Sequence, residues 1–458
     1  MMQARTIALD MLLSISQEKQ PSHKVFAREL SKYPGMEKKE RAFARRLAAG
    51  VVERQITLDF LIERYSKIRV EKLKPIIREI LRMGMYQLFY MEVPASAACN
   101  EAVKLAKKRG LSGLSGYVNG VLRAAARDGI DLEDIFLSCK EEDLLSLQYS
   151  MPKWLVKNFF SWYGREQSEQ IFSAFFVPSG LTVRVNASKR EVSSYREELA
   201  RAGILSECGE VAGALHLSGA ETVMQLPGFD AGWFQVQDES SMLPVLCAGI
   251  KAGDYVIDCC AAPGGKTVQA ADTLLVEKLH DKEKGSGIVS ARDISDYKIS
   301  KIRENIARCG FDNVKPLLFD ATELREEDLL AADVVIADLP CSGLGIIGRK
   351  PDIKYNITQR DLEELTLLQR KILAVVVQYV KPGGVLIYST CTLNPGENVN
   401  NFQFLCSFSD LEPESLDSYL PKSLCCDTTK KGYLQLLPEA GKRDGFFVSR
   451  FRRKGGKP

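Results

Sequence analysis

The sequence predicts a multidomain chain: an all-α helical bundle over residues 1–130, a small α+β domain over 145–235, and a Rossmann-like α/β domain over 236–458. Three observations predict it. Apolar residues recur at helical spacing, with no β-like alternation, until about residue 180. After residue 236 short apolar strands alternate with helical segments, the rhythm of a doubly wound parallel sheet. Charge divides the chain too: residues 1–127 hold 24 Lys and Arg against 12 Asp and Glu, the remainder 38 against 47. A basic first third on an otherwise acidic chain fits a polyanionic partner, most simply nucleic acid.

The helical pattern covers 2–17, 38–67, 71–91, 97–109 and 114–127, separated by Pro34-Gly35, Pro94 and the GLSG stretch at 110–113. Two basic clusters lie in it, Lys38, Lys39, Arg41, Arg45, Arg46 and Lys104, Lys107, Lys108, Arg109. Lys104 and Lys108 are four apart and share a helix face. In the middle domain 152–173 reads as helices, LTVRVN (181–186) alternates like a strand, 189–202 is a charged helix, and 214–218 and 232–237 are short strands. Arg184 is open to two readings, an RNA contact or a structural residue. In the third domain the strands are 254–258, 287–292, 314–319, 333–338 and 384–389, with helices such as 295–308 and 361–380 between them. LQLLP (434–438) and GFFVSRFRR (445–453) are expected to close the sheet as an antiparallel pair, before a basic tail, RRKGGKP.

Several function classes drop out on composition. No apolar run approaches the ~18–20 residues that span a bilayer. Asp10 and Glu18, with no small-residue cleavage site, argue against a signal peptide. Twelve cysteines without regular spacing, in a chain of 458 residues, read as reduced thiols of a cytoplasmic protein. The three histidines, His23, His216 and His280, are far apart, and Cys259-Cys260 and Cys425-Cys426 are adjacent pairs rather than C-x-x-C, so no metal site is expected. Nothing indicates more than a monomer.

The first strand of the third domain runs into DCCAAPGGKT (258–267). In a doubly wound sheet ligands bind at the carboxyl ends of the strands. Gly264 and Gly265 admit close backbone approach, and the following helix offers its positive N-terminus. The spacing is neither G-x-G-x-x-G nor a P-loop, whose first glycine would fall on Cys260. The second strand ends near Asp293, placed for ribose hydroxyls, and the third near Asp320, which could face an adenine edge. Adenosine with a small carboxylate at the glycine turn describes S-adenosyl-L-methionine.

The fourth strand ends in Asp338-Leu339-Pro340-Cys341 and the fifth in Ser389-Thr390-Cys391-Thr392. In a parallel sheet both open on the edge that holds the glycine loop, so two thiols could share one site with the cofactor. Methylation of pyrimidine C5 needs such a group, because the ring carbon becomes nucleophilic only after a thiolate adds at C6. It also needs a group on the N3/N4 edge, for which Asp338 is well placed, and a base extracted from its stack. Spacing alone leaves open which thiol attacks, and a free cysteine is commonly a small buried hydrophobe.

DCCAAPGGKT, DLPCSGLG with RKPDIKYN (349–356), STCTLNPGEN, VQDESSMLP (236–244) and DGFFVSRFRR together resemble the RNA cytosine-C5 methyltransferases of the Sun/Fmu/NOL family, over residues ~236–453. The first ~130 residues resemble the NusB RNA-binding domain. That fusion is the arrangement of the bacterial 16S ribosomal RNA cytosine-967 methyltransferases. The resemblance implies Cys391 as the nucleophile on C6 and Cys341 as the residue that helps release the enzyme from methylated RNA. It implies cofactor contacts at Cys260, Ala261, Ala262, Pro263, Gly264, Gly265, Lys266, Asp293, Asp320 and Asp338, with Lys266 by the methionine end and the active site. The implied partner is 16S rRNA or a small-subunit assembly intermediate. Departures from the family pattern are Gly396 and Val399 in PGENVN, Tyr355 in place of Trp, and Glu439 in place of His; none removes a catalytic group. Two alternatives remain beside this one. The same chemistry on another RNA such as tRNA fits less well with the NusB-like domain. An RNA-binding factor with a vestigial methyltransferase domain predicts lost catalytic groups, yet Lys266, Asp338, Cys341 and Cys391 are present. A NAD-type dehydrogenase lacks both the glycine fingerprint and an acid–base histidine.

Overall fold

The computed structural model describes residues 2–18, 20–129, 131–137, 139–177, 180–220 and 222–455; the end of the basic tail, 456–458, lies outside them. The chain forms two compact units, one of Met1–Ser173 with Arg349–Asn356, the other of Ala174–Gly348 with Ile357–Pro458.

The first unit is helical, as the periodicity predicts, with helices that include Met2–Glu18, Lys38–Glu53, Pro75–Tyr90, Ala95–Lys108 and Ser115–Asp128 around a core of Ile7, Leu47, Leu58, Ile80 and Leu122. Two elements differ from expectation. The stretch 38–67 is not one helix: it breaks at Arg54 (φ −106°, ψ 19°), whose guanidinium donates to the carbonyl of Gln148, and resumes as Gln55–Tyr65. Ser22–Ser31 forms a further helix, burying Val25, Phe26 and Leu30. Lys38, Lys39, Arg45, Arg46, Lys104, Lys107 and Lys108 are exposed. Arg41 and Arg109 are half-buried, the first donating to the carbonyls of Leu30 and Tyr33 and the second pairing with Asp10.

The segment 349–356 is pinned in this helical unit. Asp352 accepts from the backbone N–H (3.1 Å) and hydroxyl (2.6 Å) of Ser22 at the start of a helix, where negative charge is favoured. Lys354 is buried, donates to the carbonyls of Glu53 and Tyr149, and is driven by that burial down to about 7. Tyr355 uses its hydroxyl, bonding to the Glu53 carbonyl at 3.0 Å, which gives the Tyr at this position a role of its own.

The second unit carries two sheets. The smaller is antiparallel, in the order β2 (Leu205–Cys208), β3 (Ala214–Ser218), β1 (Leu181–Val185), β4 (Phe234–Val236), packed on the helix Val192–Arg201 through Val183, Tyr195, Leu199 and Phe234. Arg184 resolves as structural. Its guanidinium is buried against Asp272 at 2.9 Å and donates to Gln237 and Asn186, which removes it as an RNA contact. Burial holds it below the usual arginine range, with Asp272 opposing that shift.

The larger sheet contains β5 (Tyr255–Asp258), β6 (Ile288–Asp293), β7 (Val314–Leu318), β8 (Ala332–Asp338), β9 (Val380–Thr390), β10 (Leu411–Pro413), β11 (Tyr433–Leu436) and β12 (Phe446–Arg453). Its order is β10-β12-β9-β8-β5-β6-β7, with β11 also on β12. Strands β5 to β9 are parallel, and β12 pairs antiparallel with β9 and β11, so the closing pair expected from the sequence is present. The apolar run of β8 is explained by burial on both faces. Val334 and Ile336 join the core on one side, Val335 and Ala337 the core on the other. Strand order reverses between β5 and β8, which opens a crevice at their carboxyl ends.

Candidate active site

The predicted residues gather along that edge. The loop 260–266 follows β5 and enters the helix Gly265–His280. Gly264 sits at φ +107°, a conformation that side-chain-bearing residues rarely adopt, and this lets the loop turn tightly into the helix. Asp293 ends β6 and fastens the loop from the side. One oxygen accepts from the Ala262 N–H at 3.0 Å, the other from the Ile294 N–H at 2.8 Å, and Lys298 pairs with it at 2.9 Å. Asp320, just beyond β7, accepts from the N–H and hydroxyl of Thr322 within its own turn, and stands apart from the network around Asp338.

Asp338 ends β8. One carboxylate oxygen accepts from Lys266 Nζ at 2.7 Å and the other from Ser389 Oγ at 2.7 Å. Lys266 also donates to Ser241 Oγ at 3.2 Å and lies 5.4 Å from the centre of the Phe446 ring. The ammonium at the end of the glycine loop thus meets β8 through Asp338, β12 through Phe446 and the helix Glu239–Ala248 through Ser241, while β9 joins through Ser389 on the other oxygen of Asp338. An ionised carboxylate has about four lone-pair sites, so Asp338 retains capacity for a further donor.

Cys391 directly follows β9 and Cys341 lies three residues beyond β8, with Sγ atoms 3.4 Å apart. The turns are locked by backbone as well. Gly345 N–H donates to the Cys391 carbonyl at 3.0 Å and Gly445 N–H to the Gly345 carbonyl at 2.9 Å. A side chain at Gly345 would collide with the Gly445 backbone. The Cys341 thiol is pushed well up, first by its hydrogen bond to Cys391, then by burial, then by the charges of Cys391, Glu397 and Asp338. Two thiols this close share one proton in their singly ionised state. Either sulfur can be the donor in this contact.

The neighbouring cysteines differ. Burial pushes Cys259 up to about 12 and Cys260 well up, which keeps both protonated and unreactive. Asp258, fully buried at the end of β5, is raised to about 7 by burial, and Thr267 donates to one of its oxygens at 2.6 Å. Its other oxygen, Oδ1, is buried without a partner among the described residues. Sequence reasoning quoted Asp258 and Ser241 inside their motifs but assigned them nothing; Ser241 in VQDESSMLP was findable as a polar side chain in a stretch already singled out. Among the described residues no group of three or more His, Cys, Asp or Glu could hold a metal ion, and no helix is long and apolar enough to cross a membrane.

Comparison with known proteins places this geometry. A family model described as 16S rRNA methyltransferase RsmB/F matches residues 246–452, the NusB family matches 2–127, and a ferredoxin-like domain of RsmF/B-like methyltransferases matches 151–224. A Bacillus subtilis (strain 168) protein named "Probable ribosomal RNA small subunit methyltransferase B" is 34% identical over 455 residues, covering 98% of this chain and 99% of its own. The chain belongs to the RsmB/F family. A relative of the same name from Synechocystis is 34% identical over 463 residues, 99% of this chain and 100% of its own. The crystal structure of PH0851 shares the fold of this family member, with a TM-score of 0.81 at 23% identity over 98% of each chain.

Proposed function

We propose that this chain methylates C5 of one cytosine in 16S ribosomal RNA, position 967 by the family resemblance, through a covalent bond between Cys391 and C6 of the base. The observation that carries the reading is the thiol pair: Cys341 and Cys391 face each other at 3.4 Å, beside Asp338, at the ends of adjacent parallel strands. Support for rRNA as substrate comes from the names of full-length relatives and from the NusB-family match.

The residues at the glycine loop fit S-adenosylmethionine. Gly264 and Gly265 leave space for backbone approach, Asp293 is fixed beside the loop for a ribose, and the unpartnered oxygen of buried Asp258 is an acceptor that a ligand donor would satisfy. Cys260 to Lys266, Asp293, Asp320 and Asp338 would hold it, and it would supply an electrophilic methyl group. The protein does the rest. Cys391 Sγ adds to C6 and makes C5 nucleophilic. Asp338, held by Lys266 and Ser389, accepts from the N4 edge and orients the ring. After methylation a base takes the C5 proton, the C5–C6 double bond re-forms, the C6–sulfur bond breaks to free the Cys391 thiolate, and Cys341 assists that release. The helical domain over 1–130 holds RNA through phosphate contacts, ahead of the small domain over 145–235 and the catalytic domain over 236–458, and the enzyme works as a cytoplasmic monomer on free rRNA or an assembly particle.

The test is methyl transfer from labelled S-adenosylmethionine to 16S rRNA and to tRNA, with the modified nucleotide mapped. Label in 5-methylcytosine at one rRNA position is expected. Label in tRNA alone, or on another atom, would contradict the reading.

A further inference from the structure

Cys391 directly follows the last residue of β9, whereas Cys341 sits in a turn three residues beyond the end of β8. What holds that turn is a carboxylate with no place in the chemistry above. Glu397 is completely buried. Its Oε2 accepts from the backbone N–H of Ser342 and from Gln369 Nε2, both at 2.9 Å. Its Oε1 accepts from the hydroxyl of Ser342 at 2.5 Å and from Asn394 Nδ2 at 3.0 Å. Gln369 also donates to the carbonyl of Pro340 at 2.9 Å. The residues on both sides of Cys341 are therefore held, one by Glu397 and the other by a partner of Glu397.

The same group reaches the other thiol. Ser342 has one hydroxyl proton, which goes to Glu397, so the 2.6 Å contact to Thr392 is a bond donated by Thr392, the neighbour of Cys391. Four donors fill the four lone-pair sites of an ionised carboxylate, and neither a protonated acid nor an amide could accept all four. A buried polar side chain is costly unless it is hydrogen-bonded, and this one is bonded through both oxygens.

We propose that Glu397 is a positioning residue for enzyme release: its carboxylate clamps the Cys341 turn against the Cys391 turn. The inference rests on the two-thiol reading above. Adduct formation depends on Cys391 and survives loss of the clamp; adduct release depends on Cys341 and does not.

Glu397→Gln keeps the shape and removes acceptor capacity. With 16S rRNA and S-adenosylmethionine, it is expected to lower kcat by roughly ten- to a hundredfold, the scale of a small misplacement of a reacting group. KM for RNA stays unchanged, and a denaturation-resistant protein–RNA adduct accumulates. Ser342→Ala, which keeps the backbone N–H, shifts the same readouts less, and serves if Glu397→Gln fails to fold. A general structural defect would instead raise KM or abolish the adduct. Wild-type kcat in both variants, or loss of adduct formation in both, overturns the inference while leaving the two-thiol reading intact. A wild-type enzyme from which no adduct can be trapped removes both.

Discussion

The two sides of the site are built differently. On the glycine-loop side, position is set by backbone: a left-handed Gly264, amides of residues 262 and 294 on Asp293, and a helix N-terminus. On the thiol side, position is set by buried side chains from distant segments: Ser342, Gln369, Asn394 and Glu397, with Ser389 and Lys266 on Asp338. A backbone-built cradle loses little when one side chain changes. A network of saturated buried polar groups loses much, because each partner left unpaired costs its full desolvation.

The comparison predicts a gradient of effects. Cys391→Ala should abolish methyl transfer and adduct together, read by incorporated label and by denaturing gel. Cys341→Ala should still form the adduct but trap it, so that label enters RNA once per enzyme and turnover stops. On the loop side the effects are smaller and fall on stability and cofactor affinity. Asp258 has a folded pKa raised from 3.8 to about 7. Below pH ~4 both folded and unfolded forms are protonated and there is no penalty. As pH rises to about 7 the unfolded form ionises first, so the native state loses stability, and above that the full penalty remains. Asp258→Asn should therefore raise the melting temperature of the ligand-free enzyme at pH 8 and leave it unchanged near pH 4. Equal effects at both pH values would sink this account. Gly264→Ala, forcing a side chain into left-handed geometry, should cost about 1–2 kcal/mol in stability and weaken S-adenosylmethionine binding measured by calorimetry, with the trapped adduct still forming.

The same contrast governs what the sequence revealed. Local patterns were readable: apolar runs at 333–338 and 384–389 became β8 and β9, the glycine loop fell where a strand meets a helix, and 445–453 closed the sheet. Long-range polar pairing was not. PGEN reads as a polar turn, and nothing near Glu397 in the chain announces partners 55 and 28 residues away. Arg184 alternates with Val183 and Val185 as an outward residue would, yet that face is covered, and Asp272 waits there 88 residues on. The break at Arg54 has no Pro or Gly to mark it, and Ser22–Ser31, though amphipathic, is short, polar on average and entered from Pro21 without a side-chain cap.

The most direct test of the central claim identifies the sulfur that attacks. RNA carrying 5-fluorocytosine at the target has no proton at C5 to lose after methylation, so it traps the enzyme at the covalent stage. Mass spectrometry of the digested adduct should find the nucleotide on the peptide containing Cys391. Attachment to Cys341 would reverse the roles of the two thiols and contradict the account.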